Sequence, residues 1–365
     1  MNNQKSIRPV TQRFNLSEQT RNEIKNMTPK FGFNGLGEVV FRRTYSRGNE
    51  NWNDVVIRVM EGVLSIRKEH YYRNSLYWDD AEWQKFAKRM AISMFNMEWL
   101  PPGRGLWMMG TEFAYIRGAM SLNNCGAVST IDDLVMGAEW TMDALMNGCG
   151  VGFDTLWRGK AKRPNKKDTE EFVIPDSREG WVQSLIKLMV SYVDSPRYGK
   201  GKYPVFDYSK IRKYGMPIKG FGGVSSGPDP LKKLHKRVEK YLDHFCDEYI
   251  EHEGKKKEYN HTRLVADIFN AIGACVVAGN VRRSAEICMG DVEDDTFINL
   301  KNYKDNPERM EIGWMSNNSV LLRPDCNYED FSSIPGMAKR IIDNGEPGMV
   351  NLVNIQKFAR YGKEK

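Results

Sequence analysis

The residue of this chain best suited to redox chemistry is Cys125, which closes the run Ser121-Leu-Asn-Asn-Cys125. A thiol can act as nucleophile or metal ligand, or give up electrons by pairing with a second thiol. A buried one packs as a small hydrophobe. Spacing alone leaves both uses open for Cys125. Six cysteines occur, at 125, 149, 246, 275, 288 and 326, with no Cys-x-x-Cys pair and no Cys/His cluster at zinc-ligand spacing. A zinc site and a disulfide framework are therefore not expected, and a redox-active thiol remains. Three glycine-rich stretches could bring backbone amides close to an anion: Leu100-Pro-Pro-Gly-Arg-Gly-Leu-Trp107, Gly148-Cys-Gly-Val-Gly-Phe153 and Lys219-Gly-Phe-Gly-Gly-Val-Ser-Ser-Gly-Pro228. In Ala278-Gly-Asn-Val-Arg-Arg-Ser-Ala285, two adjacent guanidinium groups could grip phosphate or stack on a base. Each stretch also reads as a plain turn or a pair of exposed arginines.

These segments need a scaffold, and composition bounds it. The 365 residues carry 54 Lys and Arg against 47 Asp and Glu, a net charge of +7. That balance suits an anionic ligand such as a nucleotide. The basic residues are dispersed and no aromatic-basic platform is visible, so nucleic acid is not an expected partner. Neither a run of about 18 apolar residues nor an apolar leader is present, so neither membrane nor secretion is expected, and the expected compartment is the cytosol.

Periodicity supplies the elements. Leu16-Ser-Glu-Gln-Thr could open a short helix, and Glu38 to Tyr45 reads as extended. Val55, Val59, Val63 and Ile66 recur at helical spacing, as do Trp83, Phe86, Met90, Met94 and Met97 behind the cap Asp79-Asp80. Pro101-Pro102 ends that helix, which places a boundary between a helical region, residues 1–98, and an α/β region, residues 99–365. Leu100 to Trp107 reads as extended with a turn. Ser121 to Thr130 reads as a strand carrying Cys125, then a helix capped by Asp132 or Asp133 runs to about Met146. Asp176-Ser-Arg-Glu179 fits a capping box with Asp176 as the cap. Leu231 to Phe245 and Thr262 to Val277 read as amphipathic helices, and Pro335 to Asp343 as a helix closed by Gly345-Glu-Pro-Gly348.

Taken in order, FGFNGLGE (from Phe31), LPPGRGLW, SLNNC, GCGVGF, DSREGW (Asp176 to Trp181), KGFGGVSSGP, AGNVRRSA, SNNSV (Ser316 to Val320) and GEPG resemble the first half of an adenosylcobalamin-dependent, class II, ribonucleotide reductase. DSREGW and the lengthy insertion around it, about 158–260, look most like the monomeric ribonucleoside-triphosphate reductases. The resemblance implies a helical N-terminal domain and about half of a ten-stranded α/β barrel, with an inserted subdomain that completes an effector site. It makes Cys125 one of two cysteines that reduce the ribose. A thiyl radical takes the 3′ hydrogen, the 2′ hydroxyl leaves as water, and the dithiol becomes a disulfide. Pro102, Gly103, Asn124 and Gly150 would line the substrate pocket. Asp176, Ser177, Lys219, Gly222, Gly223 and Ser225 would hold a deoxynucleoside triphosphate effector. Asn280, Arg282 and Arg283 would form the specificity loop. Cys149, where glycine is common, would be a bystander thiol. The family's radical cysteine lies in an Asn-Pro-Cys-x-Glu motif that this sequence lacks. The resemblance therefore puts that motif, the second reducing thiol and most of the adenosylcobalamin site on a C-terminal reductase chain or a missing continuation. It implies a large interface with that part, and a thioredoxin-type reductant as a further partner. A class I large-subunit fragment and a catalytically silent nucleotide-binding module are the competing readings.

Overall fold

Short polar side chains set the helix starts of the first half. Ser17 accepts from Thr20 N–H ahead of α1 (Glu18–Lys25), and Asn51 and Asp54 form a reciprocal capping box on α3 (Trp52–Arg73). Asp79 caps α4 (Asp80–Phe95). Between α1 and α3 lies α2 (Leu36–Thr44), a helix where the β-branched residues suggested an extended run. Helix wins because only Phe41 needs burial there: it stacks on Phe31 and packs edge-on to Trp52, while Glu38 and Arg42 pair one turn apart. The structure is a computed structural model that describes residues 9–218, 224–252, 254–278, 285–322 and 335–359. It divides into two compact units, 1–124 and 125–365.

In the first unit, Val55, Val56, Val59, Met60 and Leu64 of α3 are buried with Ile24, Ala87, Ala91 and Met94. Val63, expected inward, is 38 % exposed, and Leu64 takes its place. A strict four-residue step drifts about 40° per repeat on a helix of 3.6 residues per turn, so the stripe must skip back by one residue. Two further helices, α5 (Gly103–Met108) and α6 (Glu112–Arg117), belong to this unit. Arg58 of α3 donates to the carbonyls of Leu106 and Met109, and Tyr115 donates to Ser65. These bonds carry the compact division beyond the expected boundary at 98, to Asn124.

The second unit is α/β. Its elements are β1 (Cys125–Val128), α7 (Leu134–Met146), β2 (Gly150–Asp154), β3 (Thr169–Val173), α8 (Arg178–Tyr192), β4 (Tyr203–Asp207), α9 (Asp229–Asp247), β5 (Tyr249–His252), β6 (Lys255–Glu258), α10 (His261–Val277), β7 (Glu286–Asp291), α11 (Asp295–Ile298), β8 (Ser316–Leu322), α12 (Pro335–Asn344), β9 (Gly348–Asn351) and α13 (Leu352–Phe358). Five strands form a wholly parallel sheet in the order β1-β2-β7-β8-β9. Helices α7 and α10 cover one face, where Val151, Phe153, Cys288 and Val320 are buried. Between β2 and α10 the chain makes a separate layer: β3 and β4 pair in parallel, α8 packs on α7, and α9 on α10. The basic run after Arg158 docks there, Arg163 on Asp243 and Asp247, Lys166 on Glu239.

Buried charges are compensated locally. In the first unit, Glu69 is 7 % exposed and accepts from the N–H groups of Thr11 (2.6 Å) and Gln12 (2.7 Å), from the Thr11 hydroxyl and from Arg73. Burial alone would raise its pKa, but these donors outweigh it and bring it to about 2. The folded value lies below the unfolded one, so the stabilisation is present above about pH 4.5 and is lost as pH falls toward 2. Glu69→Gln is expected to cost the first unit about 2 kcal/mol in denaturant unfolding at neutral pH, and less as pH drops through 4. An unchanged midpoint would show that the carboxylate anchors nothing.

Candidate active site

Alternation along the parallel strands decides where Cys125 faces. It pairs in register with Gly150, and two residues on Ala127, Gly152, Ile287 and Asn317 share a row. Side chains of one row share a face. On this face Cys125, Ala127, Ile287 and Asn317 are exposed, whereas the opposite face carries the buried positions. Cys149, Cys275 and Cys288 are buried, and burial pushes the Cys275 thiol up to about 12. A raised thiol pKa suppresses thiolate and hence reactivity. Cys125 is thus an accessible thiol at the mouth of a sheet, beside a glycine that puts no side chain next to it. Cys149 lies inside, consistent with a bystander.

The other expected site residues fall in three groups. Asn124 is exposed and directly precedes Cys125. Pro102 and Gly103 lie in the first unit, and the stretch around them is a helix start and not an extended segment: Pro102, with φ −50°, is the cap of α5. Gly103 is required there by contact, because a Cβ would sit 2.7 Å from the ring of Tyr45. Ser177, and not Asp176, caps α8, accepting from Gly180 N–H at 3.0 Å. Asp176 instead accepts from Arg212 Nε at 2.7 Å. The same guanidinium donates to Pro217 O at 2.9 Å, and the buried Ser225 hydroxyl donates to Arg212 O. The structure therefore joins Asp176 and Ser225 through Arg212, a link that no local motif announces. Lys219, Gly222, Gly223, Asn280, Arg282 and Arg283 lie outside the described residues, as does Cys326.

Beneath this group His235 is buried, its ring stacked 4.2 Å from Phe206. Ser184 Oγ gives its proton to Trp181 O, so it accepts from His235 Nε2 (3.0 Å), and Nδ1 accepts from Tyr208 OH (2.7 Å). Burial lowers the pKa of this imidazole to about 3. Its folded value lies below the unfolded 6.5, so its stabilisation is intact above pH 6.5 and lost as pH falls toward 3.

At the far edge of the sheet, Glu346 of the GEPG turn accepts from Asn318 N–H (3.0 Å) and pairs with Lys301 (2.7 Å), which also donates to Ser316 O (2.5 Å). Two sequence motifs 30 residues apart are thereby tied to one lysine.

Residues 16–111 match the ribonucleotide reductase alpha domain, and residues 150–242 match the insertion domain of B12-dependent ribonucleotide reductase. The chain is 41 % identical over 366 residues to an adenosylcobalamin-dependent ribonucleoside-triphosphate reductase of Euglena gracilis, covering 96 % of this chain and 47 % of that protein. It is 30 % identical over 410 residues to the enzyme of that name from Lactobacillus leichmannii, covering 96 % and 53 %. A crystal structure of a B12-dependent (class II) ribonucleotide reductase superposes with a TM-score of 0.73 at 28 % identity, over 93 % of this chain and 52 % of that one. The superposition extends the likeness to the fold, a helical unit followed by a parallel α/β unit. Over nearly its whole length the chain is thus similar to adenosylcobalamin-dependent, class II, ribonucleotide reductases. It spans about half the length of the curated relatives it matches. Among the described residues no helix is long and apolar enough to cross a membrane.

Two outcomes follow from this geometry. In the native chain, iodoacetamide should modify Cys125 well ahead of Cys149, Cys275 and Cys288, read by peptide mass spectrometry. Equal rates at all four would mean that the open face is closed in solution. Separately, acid titration of stability between pH 6.5 and 3 should flatten in His235→Asn.

Proposed function

We propose that this chain is one part of a reductase that converts ribonucleoside triphosphates to 2′-deoxyribonucleotides, and that Cys125 is one of its two reducing thiols. The observation that carries the reading is the accessible Cys125 sulfur on the open face of the sheet, in register with Gly150, in a chain similar to this family. Reduction of one ribose consumes two thiols. The 2′ hydroxyl leaves as water, two electrons come from Cys125 and its partner thiol, and the pair becomes a disulfide that a thioredoxin-type protein re-reduces. Gly150 would leave room for substrate beside the sulfur, and Asn124, Pro102 and Gly103 are the other substrate-binding residues we propose. Asp176, Ser177, Ser225 and the Lys219, Gly222 and Gly223 loop would hold a deoxynucleoside triphosphate effector, and Asn280, Arg282 and Arg283 would carry its signal toward substrate.

Adenosylcobalamin would be held mainly by residues outside this chain, and supplies the radical when bound. The open face fits that arrangement, because Cys125 is exposed there and Gly150 and Gly152 add no side chains of their own, although the Met289 methyl lies over Gly152. The second thiol and the radical-bearing cysteine would come from a C-terminal reductase part. The setting is the cytosol, where thiols stay reduced.

The test is reconstitution. This chain, a C-terminal reductase chain, adenosylcobalamin, a ribonucleoside triphosphate and a dithiol are mixed, and deoxynucleotide is measured. Product is expected with the wild-type chain, and none above background with Cys125→Ser. Product formation undiminished in that variant would overturn the role of Cys125. Binding of a deoxynucleoside triphosphate without turnover in any mixture would favour a silent nucleotide-binding module.

A further inference from the structure

Glu286 opens β7 and points into the covered face of the sheet, where it is 3 % exposed. Oε2 accepts from Asn270 Nδ2 at 3.2 Å, and Oε1 has no hydrogen-bond partner. The space for Oε1 exists because residue 273 of α10 is glycine: a Cβ there would lie 2.6 Å from that oxygen. Asn270 links Glu286 to the neighbouring strand. Its Nδ2 also donates to Ser316 Oγ (2.9 Å), which donates to Asn318 Oδ1 (2.9 Å), and its Oδ1 accepts from Arg309 Nη2 (2.8 Å).

The charges around this site are engaged elsewhere. On α10, Asp267 takes Arg263 Nε (2.8 Å) and Arg309 Nε (2.7 Å), together with the Tyr259 hydroxyl. Beside β8, Lys301 pairs with Glu346. On β7 itself the next group on the same face is the buried Cys288 thiol, and across β2 the register partner is Val151. Among the described residues, an ionised Glu286 would be a buried charge with one amide donor and no cation, a costly arrangement. A neutral carboxyl keeps the Asn270 bond and leaves one polar atom, Oε1, without a partner, a smaller cost than a buried unpaired charge.

We propose that Glu286 is carried as the neutral acid and is a positioning residue: through Asn270 it sets the start of β7 against Ser316 and Asn318 of β8. Ala285, the residue before it, is held on the other side by Val151 N–H, which donates to its carbonyl at 2.9 Å. The chain running from the Arg282-Arg283 segment into the sheet thus enters at a fixed point. Burial raises the pKa of Glu286 well above that of an exposed carboxyl. Its contribution to stability is therefore full below the unfolded pKa and declines as pH rises toward the folded one.

The first arm of the test is thermal unfolding of the full chain at about pH 6 and about pH 9. Melting of the wild type should fall with pH more steeply than that of Glu286→Gln, which keeps the Asn270 bond and cannot ionise. Gly273→Ala, which crowds Oε1, should lower melting at both pH values. Parallel slopes for wild type and Glu286→Gln would overturn the neutral acid. The second arm, which rests on the reductase reading, measures deoxynucleoside triphosphate binding by calorimetry. Glu286→Gln should bind as the wild type does, and Glu286→Met, of similar volume but without the amide contact, about tenfold more weakly, the worth of one hydrogen bond. Wild-type affinity in Glu286→Met would overturn the positioning role. Absence of binding by the wild type would count against the reductase reading alone, and the melts would still decide the state of Glu286.

Discussion

The parallel register of β1 on β2 is the constraint on which the site depends. With Cys125 opposite Gly150, alternation sends the sulfur to the open face and Gly126 to the helix face, where a Cβ would meet the ring of Trp140 at 2.7 Å. Slipping β1 by one residue would bury the sulfur under α7 and turn a reactive thiol into a packing group. Trp140 of α7 thus guards the register on the helix face, and the buried row Val151, Phe153 and Cys288 does so on the same face from the neighbouring strands.

The two faces of the sheet solve different problems. The covered face holds more polarity than a parallel sheet usually buries: Glu286, Ser316 and Asn318 stand beside Asn270, Asp267 and Arg309. Each group is tolerable because it is shared, Asp267 between two arginines and Asn270 among three partners. Such a network is directional where hydrocarbon is not. It ties α10, β7, β8 and the Pro307–Arg309 turn into one frame, and it lies directly under the open face that carries Cys125.

Much of this was legible in the sequence, and the exceptions have physical causes. Helix starts at Ser17 and Asp79 were readable, and the one at Asp133 was narrowed to Asp132 or Asp133, because an N-cap is a local interaction between a short side chain and nearby amides. The helix α2 was not, because its one buried residue, Phe41, is chosen by distant aromatic partners at 31 and 52. The cap at Ser177 was misplaced by one residue because Asp176 can cap as well, and only the remote Arg212 draws it away. Val63 was misassigned because a four-residue step imitates helical periodicity over two repeats and fails on the third. Cys125 was identifiable as a redox candidate, but its accessibility is a property of strand register, which no window of the sequence contains.

The open face carries apolar surface as well as the thiol. Ile287 is 46 % exposed in the middle of a parallel sheet, and Met289 and Leu321 are only part-covered on the same side. Parallel sheets are ordinarily covered on both faces, since their strands carry too much apolar surface for water. A bare face of this kind, with a thiol at its mouth, is stable in use only if something packs on it. Covering it would dehydrate the space above Cys125 and leave the sulfur reachable only along the strand ends. The layer that the sheet demands would therefore also decide what can reach the thiol.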